Sequence, residues 1–213
     1  MLTNTLLRTC VRLPGLAILV ALCGPMAPAF AQVAGSSGHL AEQEQPLSNS
    51  PRYLLMNPQG RAVSNEDFRG RFQLVTFGFV SCPDVCPTTL LQFKHILEAL
   101  GDKAGRLQPI LITVDPERDT GAILLEYTRA FDPRILGLTG SPELVRRAAD
   151  NFRFRYEKVR EPGAAPNIYT MNHTAGMVLL DAQGRFVARF AYGMPAGEIA
   201  ERIRLAMTAG GAR

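Results

Sequence analysis

An apolar segment that ends in two closely spaced cysteines is the feature that most constrains this chain. Residues 72–79 are almost continuously apolar, as in a strand that is buried on both faces of a sheet. Cys82 and Cys86 follow with three residues between them, and Pro87 suits the first residue of a helix. The pattern predicts a buried strand, a turn with two thiols and a helix. Two thiols held so close can form a disulfide or bind a soft metal ion.

The position of the two cysteines before a helix predicts a low thiol pKa. Because Cys86 precedes Pro87, helical angles are disfavoured there, and we expect Cys86 at a cap position just outside the helix. The positive end of the helix dipole would then favour the thiolate, which is the form that binds metal and attacks as a nucleophile. Asp84 opposes this effect, although its charge would help to neutralise a bound cation.

The beginning of the chain predicts export. Arg8 and Arg12 precede a mostly apolar segment, and Ala29–Ala31 has the small-x-small pattern of a signal peptidase site. We therefore predict a signal peptide over residues 1–31. An uncleaved membrane anchor is the alternative, although the apolar segment is shorter than the roughly 20 residues that a membrane helix needs. Residues 32–50 are rich in Gly, Ser, Gln and Ala, which predicts a flexible tether.

Charge and cysteine content narrow the function classes. Cleavage after Ala31 would reduce the formal net charge from +4 to +2, because the removed segment carries two Arg and no acidic residue. So small a charge argues against a nucleic-acid partner. The removed segment also contains Cys10 and Cys23, so Cys82 and Cys86 would remain as the only cysteines. In an oxidising compartment such a close pair tends to form a disulfide.

Apolar segments and helical patterns alternate along the rest of the chain. The predicted strands cover residues 53–56, 61–64, 72–79, 107–114, 135–138, 154–158 (an edge strand), 176–180 and 186–190, and the predicted helices cover residues 87–101, 120–131, 141–151 and 195–207. This order predicts an α/β domain over residues 51–208, with a thioredoxin-like mixed sheet flanked by helices. Within this domain, an extra N-terminal hairpin precedes the thioredoxin-like sheet, and an insert lies before the C-terminal hairpin.

Two loops should meet at the carboxyl ends of neighbouring strands, where ligands gather in such sheets. One is the cysteine turn, and the other is Asp115–Thr120 after the second buried strand. We interpret Asp115–Thr120 as a turn and a helix cap, with Asp119 or Thr120 as the capping residue, in preference to a partner surface.

His173 is the candidate for a third donor beside the cysteines. It lies in a predicted loop before the strand at residues 176–180, which neighbours the strand at residues 72–79 in a thioredoxin-like sheet. Two sulfurs and one imidazole suit Cu(I) and can also hold Cu(II). Two sulfurs alone leave a zinc site incomplete, and iron–sulfur clusters usually take four cysteines. The remaining candidates are expected in the tether, on the surface or in packing, and have no role: His39, His95, Met171 and Met194.

Three motifs resemble the Sco/SenC family, from about residue 51 to residue 207. They are Cys-Pro-Asp-Val-Cys-Pro at residues 82–87, Asp-Pro-Glu-Arg-Asp-Thr at residues 115–120, and a histidine before a late strand. Members of that family are thioredoxin-like copper-binding proteins of the periplasm and the mitochondrial inner membrane. They serve assembly of the copper centre in cytochrome c oxidase subunit II.

The resemblance implies that Cys82, Cys86 and His173 are copper ligands. It also implies a periplasmic copper chaperone, more than an enzyme, that delivers Cu(I) or Cu(II) to cytochrome c oxidase subunit II or another copper-receiving protein. A Cys82–Cys86 disulfide would block loading, so a thioredoxin-like reductant is a second expected partner. Membrane contact is expected only if the N-terminus stays uncleaved. One departure is Asn172, where the family usually has Asp, which removes a charge beside His173.

Other functions for the cysteine pair stay open at this point. The main alternative is a thiol–disulfide reductase that maintains the cysteines of a copper-site partner, and the others are copper or redox sensing and a structural disulfide. Thioredoxin-type oxidoreductases normally have two residues between their cysteines and a proline before the facing strand, whereas this chain has three residues and no proline there. A peroxidase is less consistent, because Phe79 stands where peroxiredoxins have Thr or Ser.

Overall fold

The computed structural model describes residues 50–165 and 167–210. The elements in these ranges are β1 (Leu54–Met56), β2 (Ala62–Ser64), β3 (Phe72–Gly78), α1 (Val85–Leu100), β4 (Leu107–Thr113), α2 (Gly121–Phe131), β5 (Leu136–Leu138), α3 (Pro142–Asn151), β6 (Tyr156–Val159), β7 (Thr170–His173), β8 (Met177–Leu180), β9 (Phe186–Phe190) and α4 (Ala196–Gly210). The predicted signal peptide, His39 and the predicted tether up to residue 49 lie outside the described residues. Within them, no helix is both long enough and apolar enough to cross a bilayer.

Five strands form the central sheet in the order β5-β4-β3-β8-β9. β3, β4 and β5 run parallel, whereas β8 is antiparallel to β3 and β9 is antiparallel to β8. Every residue of β3 and β4 is buried, as the continuous apolar segments predicted. The mixed sheet and the pairing of β8 with β3 confirm the predicted fold class. This pairing brings the segment before β8 to the end of β3, where the cysteines follow.

Successive side chains of the sheet point to opposite faces and belong to two apolar clusters, one on each face. On one face Val75 and Phe77 pack with Phe152 and Phe154 near α3 and the N-terminal hairpin β1–β2. On the other face the apolar side of α1 packs against α4, with Leu74 of β3 between strand and helices. The cysteine-bearing segment therefore joins two elements that are fixed by burial on both sides.

β6 and β7 lie outside the central sheet and form a two-stranded sheet of their own. The edge strand predicted at residues 154–158 is present as β6, with its start two residues later, and it pairs with β7 alone among the described strands. Phe154 is fully buried in the core, but Tyr156–Val159 is largely exposed and offers no apolar face to a larger sheet. Arg153, with a φ of 53°, redirects the chain between α3 and this hairpin. The β6–β7 hairpin corresponds to the predicted insert.

α1 begins at Val85, two residues before the predicted start at Pro87. Cys86 is therefore inside the first turn of the helix and not at a cap position outside it. Pro87 is accommodated because the first N–H groups of a helix have no partner within the helix, so its missing N–H loses nothing. The residue before a proline is only biased away from helical angles, and here the bias is overcome.

Candidate metal centre

The two cysteines follow β3 and differ in their exposure. Cys82 is half-buried in the turn, whereas Cys86 is 3% exposed at the start of α1. Both are free thiols, and the backbone N–H of Phe79 donates to Cys86 Sγ across 3.4 Å. This contact anchors the buried sulfur to the end of β3. Two free thiols in this arrangement are the form that binds a soft metal ion.

Gly78, the last residue of β3, makes room for the buried sulfur. A Cβ atom at this position would lie 2.8 Å from Cys86 Sγ and 3.3 Å from Leu111 Cδ1. Both distances are below ordinary van der Waals contact, so any side chain here would displace the thiol or its neighbours. No local pattern in the sequence singles out Gly78, because the need for a glycine arises only from the approach of α1 to β3.

His173 is the last residue of β7, so the prediction that it lies in a loop was wrong. It pairs with Tyr156 of β6, and this strand pairing fixes the backbone of His173. Three residues later, the carbonyl oxygen of Gly176 accepts a 2.8 Å hydrogen bond from Thr76 Oγ1 of β3. The imidazole is therefore positioned by the hairpin on one side and by the central sheet on the other.

The imidazole of His173 faces the buried sulfur. Its Nε2 atom lies 3.6 Å from Cys86 Sγ, while Nδ1 donates to the carbonyl oxygen of Thr174 across 3.0 Å. Because Nδ1 carries the proton, Nε2 presents its lone pair toward the thiols. The ring of Phe79 packs edge-on against the imidazole at 5.9 Å between centroids. The ligand atoms of Cys82, Cys86 and His173 all lie within 4.8 Å of one another.

Burial favours the neutral forms of two donors in this cluster. Burial raises the pKa of the Cys86 thiol, and it lowers the pKa of the His173 imidazole. The predicted low thiol pKa is therefore wrong for Cys86, because the desolvation of a thiolate outweighs the N–H donor of Phe79. A neutral imidazole is ready to bind metal, whereas a cation at Cys86 must displace the thiol proton.

The loop Asp115–Thr120 contributes more than the predicted turn and cap. Thr120 does cap α2, since its side chain accepts from the N–H of Ile123. Asp119, however, is 1% exposed and accepts from the N–H of Val80, 3.0 Å away, at the start of the cysteine turn. The expected meeting of the two loops is thereby confirmed. The sequence indicated this contact between the loops, because Asp115–Thr120 follows the strand that was predicted next to β3.

The other candidate donors take no part in the cluster. His95 is exposed on α1, Met171 is buried in the core and Met194 packs against the opposite cluster, as predicted. Asn172, which departs from the family pattern, is exposed and donates to Glu157 Oε1 of β6 across 3.3 Å. Of the predicted site residues, the fold brings together Cys82, Cys86 and His173.

The model of the family described as SCO1/SenC matches residues 41–208. The chain belongs to this family. Among relatives, it is 34% identical over 152 residues to the SCO2-like protein of Rickettsia felis, an alignment that covers 71% of this chain and 74% of that one. The family assignment confirms the resemblance drawn from the three motifs.

Solved structures of family members agree with the fold. The chain is similar to copper-bound ScoI of Bradyrhizobium japonicum, with 36% identity, a TM-score of 0.66 and coverage of 74% of this chain and 98% of that one. Copper-bound Sco1 of yeast shows 32% identity and a TM-score of 0.68, with coverage of 76% and 89%. Two members with this fold thus bind copper.

Proposed function

We propose that this protein is a periplasmic copper chaperone that delivers copper to the copper centre of cytochrome c oxidase during assembly of that enzyme. Membership of the SCO1/SenC family and two similar proteins solved with copper support the proposal. A donor set of two thiols and one imidazole is suited to Cu(I), and it can also hold Cu(II) when a further donor is available. The copper ion is cargo in this function, received and then passed on.

The single observation that carries the proposal is the 3.6 Å approach of His173 Nε2 to Cys86 Sγ. These two residues are 87 positions apart in the chain, so only the fold brings them together. The bond from Nδ1 to Thr174 directs the lone pair of Nε2 at the sulfur. The ligand atoms of Cys82, Cys86 and His173 lie within 4.8 Å of one another, so small movements of the side chains would allow all three to bind one ion.

A copper titration tests this proposal. The reduced protein is titrated with Cu(I), and bound metal is measured for wild type, Cys82→Ala, Cys86→Ala and His173→Ala. We expect about one copper ion per wild-type protein and a loss of affinity of more than about tenfold in each variant, because each removes one of three ligands. His95→Ala is the matched control, since His95 is exposed on α1.

Two results would contradict the proposal. One is a wild-type protein that binds no copper after complete reduction. The other is a His173→Ala variant that retains wild-type affinity, because the imidazole would then lie outside the coordination sphere. Wild-type behaviour of His95→Ala is required in either case, so that a loss in the other variants reports on the site.

Redox gating is part of the same proposal. Metal binds the dithiol, and oxidation to a Cys82–Cys86 disulfide removes both sulfur donors, so a thioredoxin-like reductant would have to restore them. The expected result is that oxidised protein takes up no copper and regains full uptake after reduction. The expected receiver is cytochrome c oxidase subunit II or another copper-receiving protein, and oxidase activity in a deletion strain at low copper measures this role.

Thiol–disulfide reduction of a copper-site partner is the second candidate function. The half-buried Cys82 favours it, because an accessible thiol beside a buried one is the arrangement that such exchange uses. The raised pKa of Cys86 makes it the resolving thiol in such a reaction, with Cys82 as the thiol that attacks. If His173→Ala reduces protein disulfides rapidly while binding copper like wild type, the reductase is the better description.

A further inference from the structure

The segment of residues 115–119, called the bridging loop below, contacts both halves of the donor set. It follows β4, the strand next to β3, and leads into α2. On one side it reaches the turn that carries Cys82, and on the other side it reaches the β6–β7 hairpin that carries His173. The two sides are separate in sequence by about ninety residues. A single short loop is therefore placed to control their relative position.

Asp119 connects the bridging loop to the sulfur half. Its Oδ2 atom accepts from the N–H of Val80 at 3.0 Å and from Oγ1 of Thr113 at 2.6 Å. Val80 is two residues before Cys82, and Thr113 is the last residue of β4. Buried hydrogen bonds to a carboxyl group are costly to lose, because the group would be left without a partner. Asp119 thereby ties the cysteine turn to the end of the neighbouring strand.

Asp115 and Arg118 connect the bridging loop to the imidazole half through Tyr169. Oδ1 of Asp115, which is 1% exposed, accepts from the hydroxyl of Tyr169 at 2.8 Å. Arg118 donates through Nη1 to the carbonyl oxygen of Tyr169 at 3.1 Å, and its Cζ lies 3.8 Å from the centre of the same ring. Arg118 Nε also donates to Asp115 Oδ2. Burial, and next the bond to Asp115, raise the pKa of Tyr169 to about 12, so the phenol remains a donor.

The hairpin does not pair with the central sheet in the described part of the chain, and of its strand residues Met171 alone is buried in the core, so further attachments matter for its position. β6 and β7 pair only with each other among the described strands, and most of their residues are exposed. Tyr169 directly precedes β7, so it anchors the far end of the strand whose last residue is His173. A second contact supports the first, since Lys158 of β6 lies 2.8 Å from Glu117 of the bridging loop and 4.3 Å from the centre of the Tyr169 ring.

We propose that Asp115, Arg118 and Asp119 are positioning residues that align the two halves of the copper site, and that the grip of Arg118 on Tyr169 sets how long the imidazole stays on the metal. This inference rests on the proposed copper function. When the grip is intact, β7 is held at both ends and His173 stays over the sulfurs. When the grip is lost, the hairpin lifts from the bridging loop and copper is held by two sulfurs only.

The rate of copper loss tests the inference. The full chain is loaded with Cu(I), a chromogenic Cu(I) chelator is added in excess, and copper transfer is followed for wild type, Arg118→Gln and Tyr169→Leu. We expect both variants to lose copper about tenfold faster, since a cation–π contact and a charged hydrogen bond together are worth about that factor. Copper content per protein at saturation should be unchanged, because Cys82 and Cys86 still bind the ion at saturating copper.

Two further variants separate positioning from general stability. Tyr169→Phe keeps the ring and its carbonyl under Arg118 and loses only the bond to Asp115, so it should fall between wild type and Tyr169→Leu. Arg134→Gln removes a comparable ion pair, in which Arg134 Nη2 lies 2.6 Å from Oδ2 of Asp132, far along the chain from either half of the site. It should leave the rate of copper loss within about twofold of wild type.

A spectroscopic signature identifies what has moved. In the Cu(II) form, electron paramagnetic resonance detects the nitrogen donor, and the sulfur-to-copper absorption band detects the thiolates. We expect Tyr169→Leu to weaken the nitrogen couplings while the sulfur band persists, and Arg134→Gln to leave both unchanged.

A copper-free measurement keeps this inference separate from the proposed function. Amide exchange of Thr170–His173 should accelerate in Tyr169→Leu and not in Arg134→Gln, whether or not the protein binds copper. If wild type binds no copper, the proposed function fails. The amide-exchange data would then still show whether the bridging loop holds the β6–β7 hairpin in place. If copper loss and exchange in Tyr169→Leu and Arg118→Gln match wild type, or if Arg134→Gln accelerates copper loss equally, the inference is overturned while the function stands.

Discussion

The sulfur donors and the imidazole donor are carried by regions of different construction. Cys82 and Cys86 follow β3, whose residues are all buried between two apolar clusters in the middle of the sheet. His173 ends a two-stranded hairpin that is largely exposed and is fastened to the domain by polar and aromatic contacts. The sulfur region is thus held mainly by the hydrophobic effect, whereas the hairpin combines the single buried side chain of Met171 with a few directional contacts. Such a division would suit the hold and release of copper that the proposed function requires.

The same substitution on either side of this division should give the largest contrast. Val178 of β8 is fully buried, whereas Val159 of β6 is 39% exposed. Val178→Ala should reduce the free energy of unfolding by about 2–3 kcal/mol, because two buried methyl groups are lost and a cavity remains. Val159→Ala should change it by less than about 0.5 kcal/mol. Chemical denaturation measures both, and equal losses would show that the hairpin shares the stability of the sheet.

A smaller effect on stability, with a larger one on the site, is expected at Gly78. Gly78→Ala places a Cβ against Cys86 Sγ, which must shift because the atoms would otherwise lie 2.8 Å apart. We expect a loss of about 1 kcal/mol in unfolding free energy and a weakening of copper binding by about tenfold. Gly105→Ala is the control, since a Cβ atom at that position would have no described atom within 4 Å beyond its chain neighbours. Unchanged copper affinity in Gly78→Ala would mean that the sulfur side is more adaptable than its packing indicates.

A change of less than about 1 kcal/mol, with a local effect, is expected when a surface contact of the hairpin is removed. Arg146 of α3 lies over the ring of Tyr156, 3.7 Å from its centre, and donates to its carbonyl oxygen at 3.2 Å. Arg146→Gln should alter the unfolding free energy by less than about 1 kcal/mol, because an exposed cation–π contact is weak. Amide exchange of Tyr156–Val159 should nevertheless accelerate. Arg147→Gln, at the next position of the same helix, is the control, and exchange that spreads into β3 would contradict the division.

Prediction from sequence succeeded where local patterns are sufficient. The continuous apolar segments indicated the buried strands β3 and β4, and the spacing of Cys82 and Cys86 placed two thiols close together whatever the fold. The predicted start of α1 was two residues too late, because a proline is tolerated anywhere in the first turn. The edge strand predicted at residues 154–158 is present as β6, but its pairing with β7 was not predicted, since a short exposed strand does not indicate its partner.

The remaining features could not be predicted because they depend on burial and on contacts between distant segments. The pKa of Cys86 is raised by the packing of α1 onto β3, and no neighbour in the sequence reveals that desolvation. Asp119 was expected as a candidate cap, yet it is buried and bound to Val80, 39 residues away. Such a choice between neighbouring polar residues is made by the space that the fold leaves for each.

The amino-acid sequence by itself determined the order of the strands and helices apart from β7, the closeness of the two thiols and the family to which the chain belongs, because these follow from periodicity and from short motifs. Only the tertiary structure decided that the ring of His173 meets Cys86, that Gly78 leaves room for the sulfur, and that one loop contacts both sides of the site. The physical reason is that long-range contacts form only when burial of the core brings separate segments together.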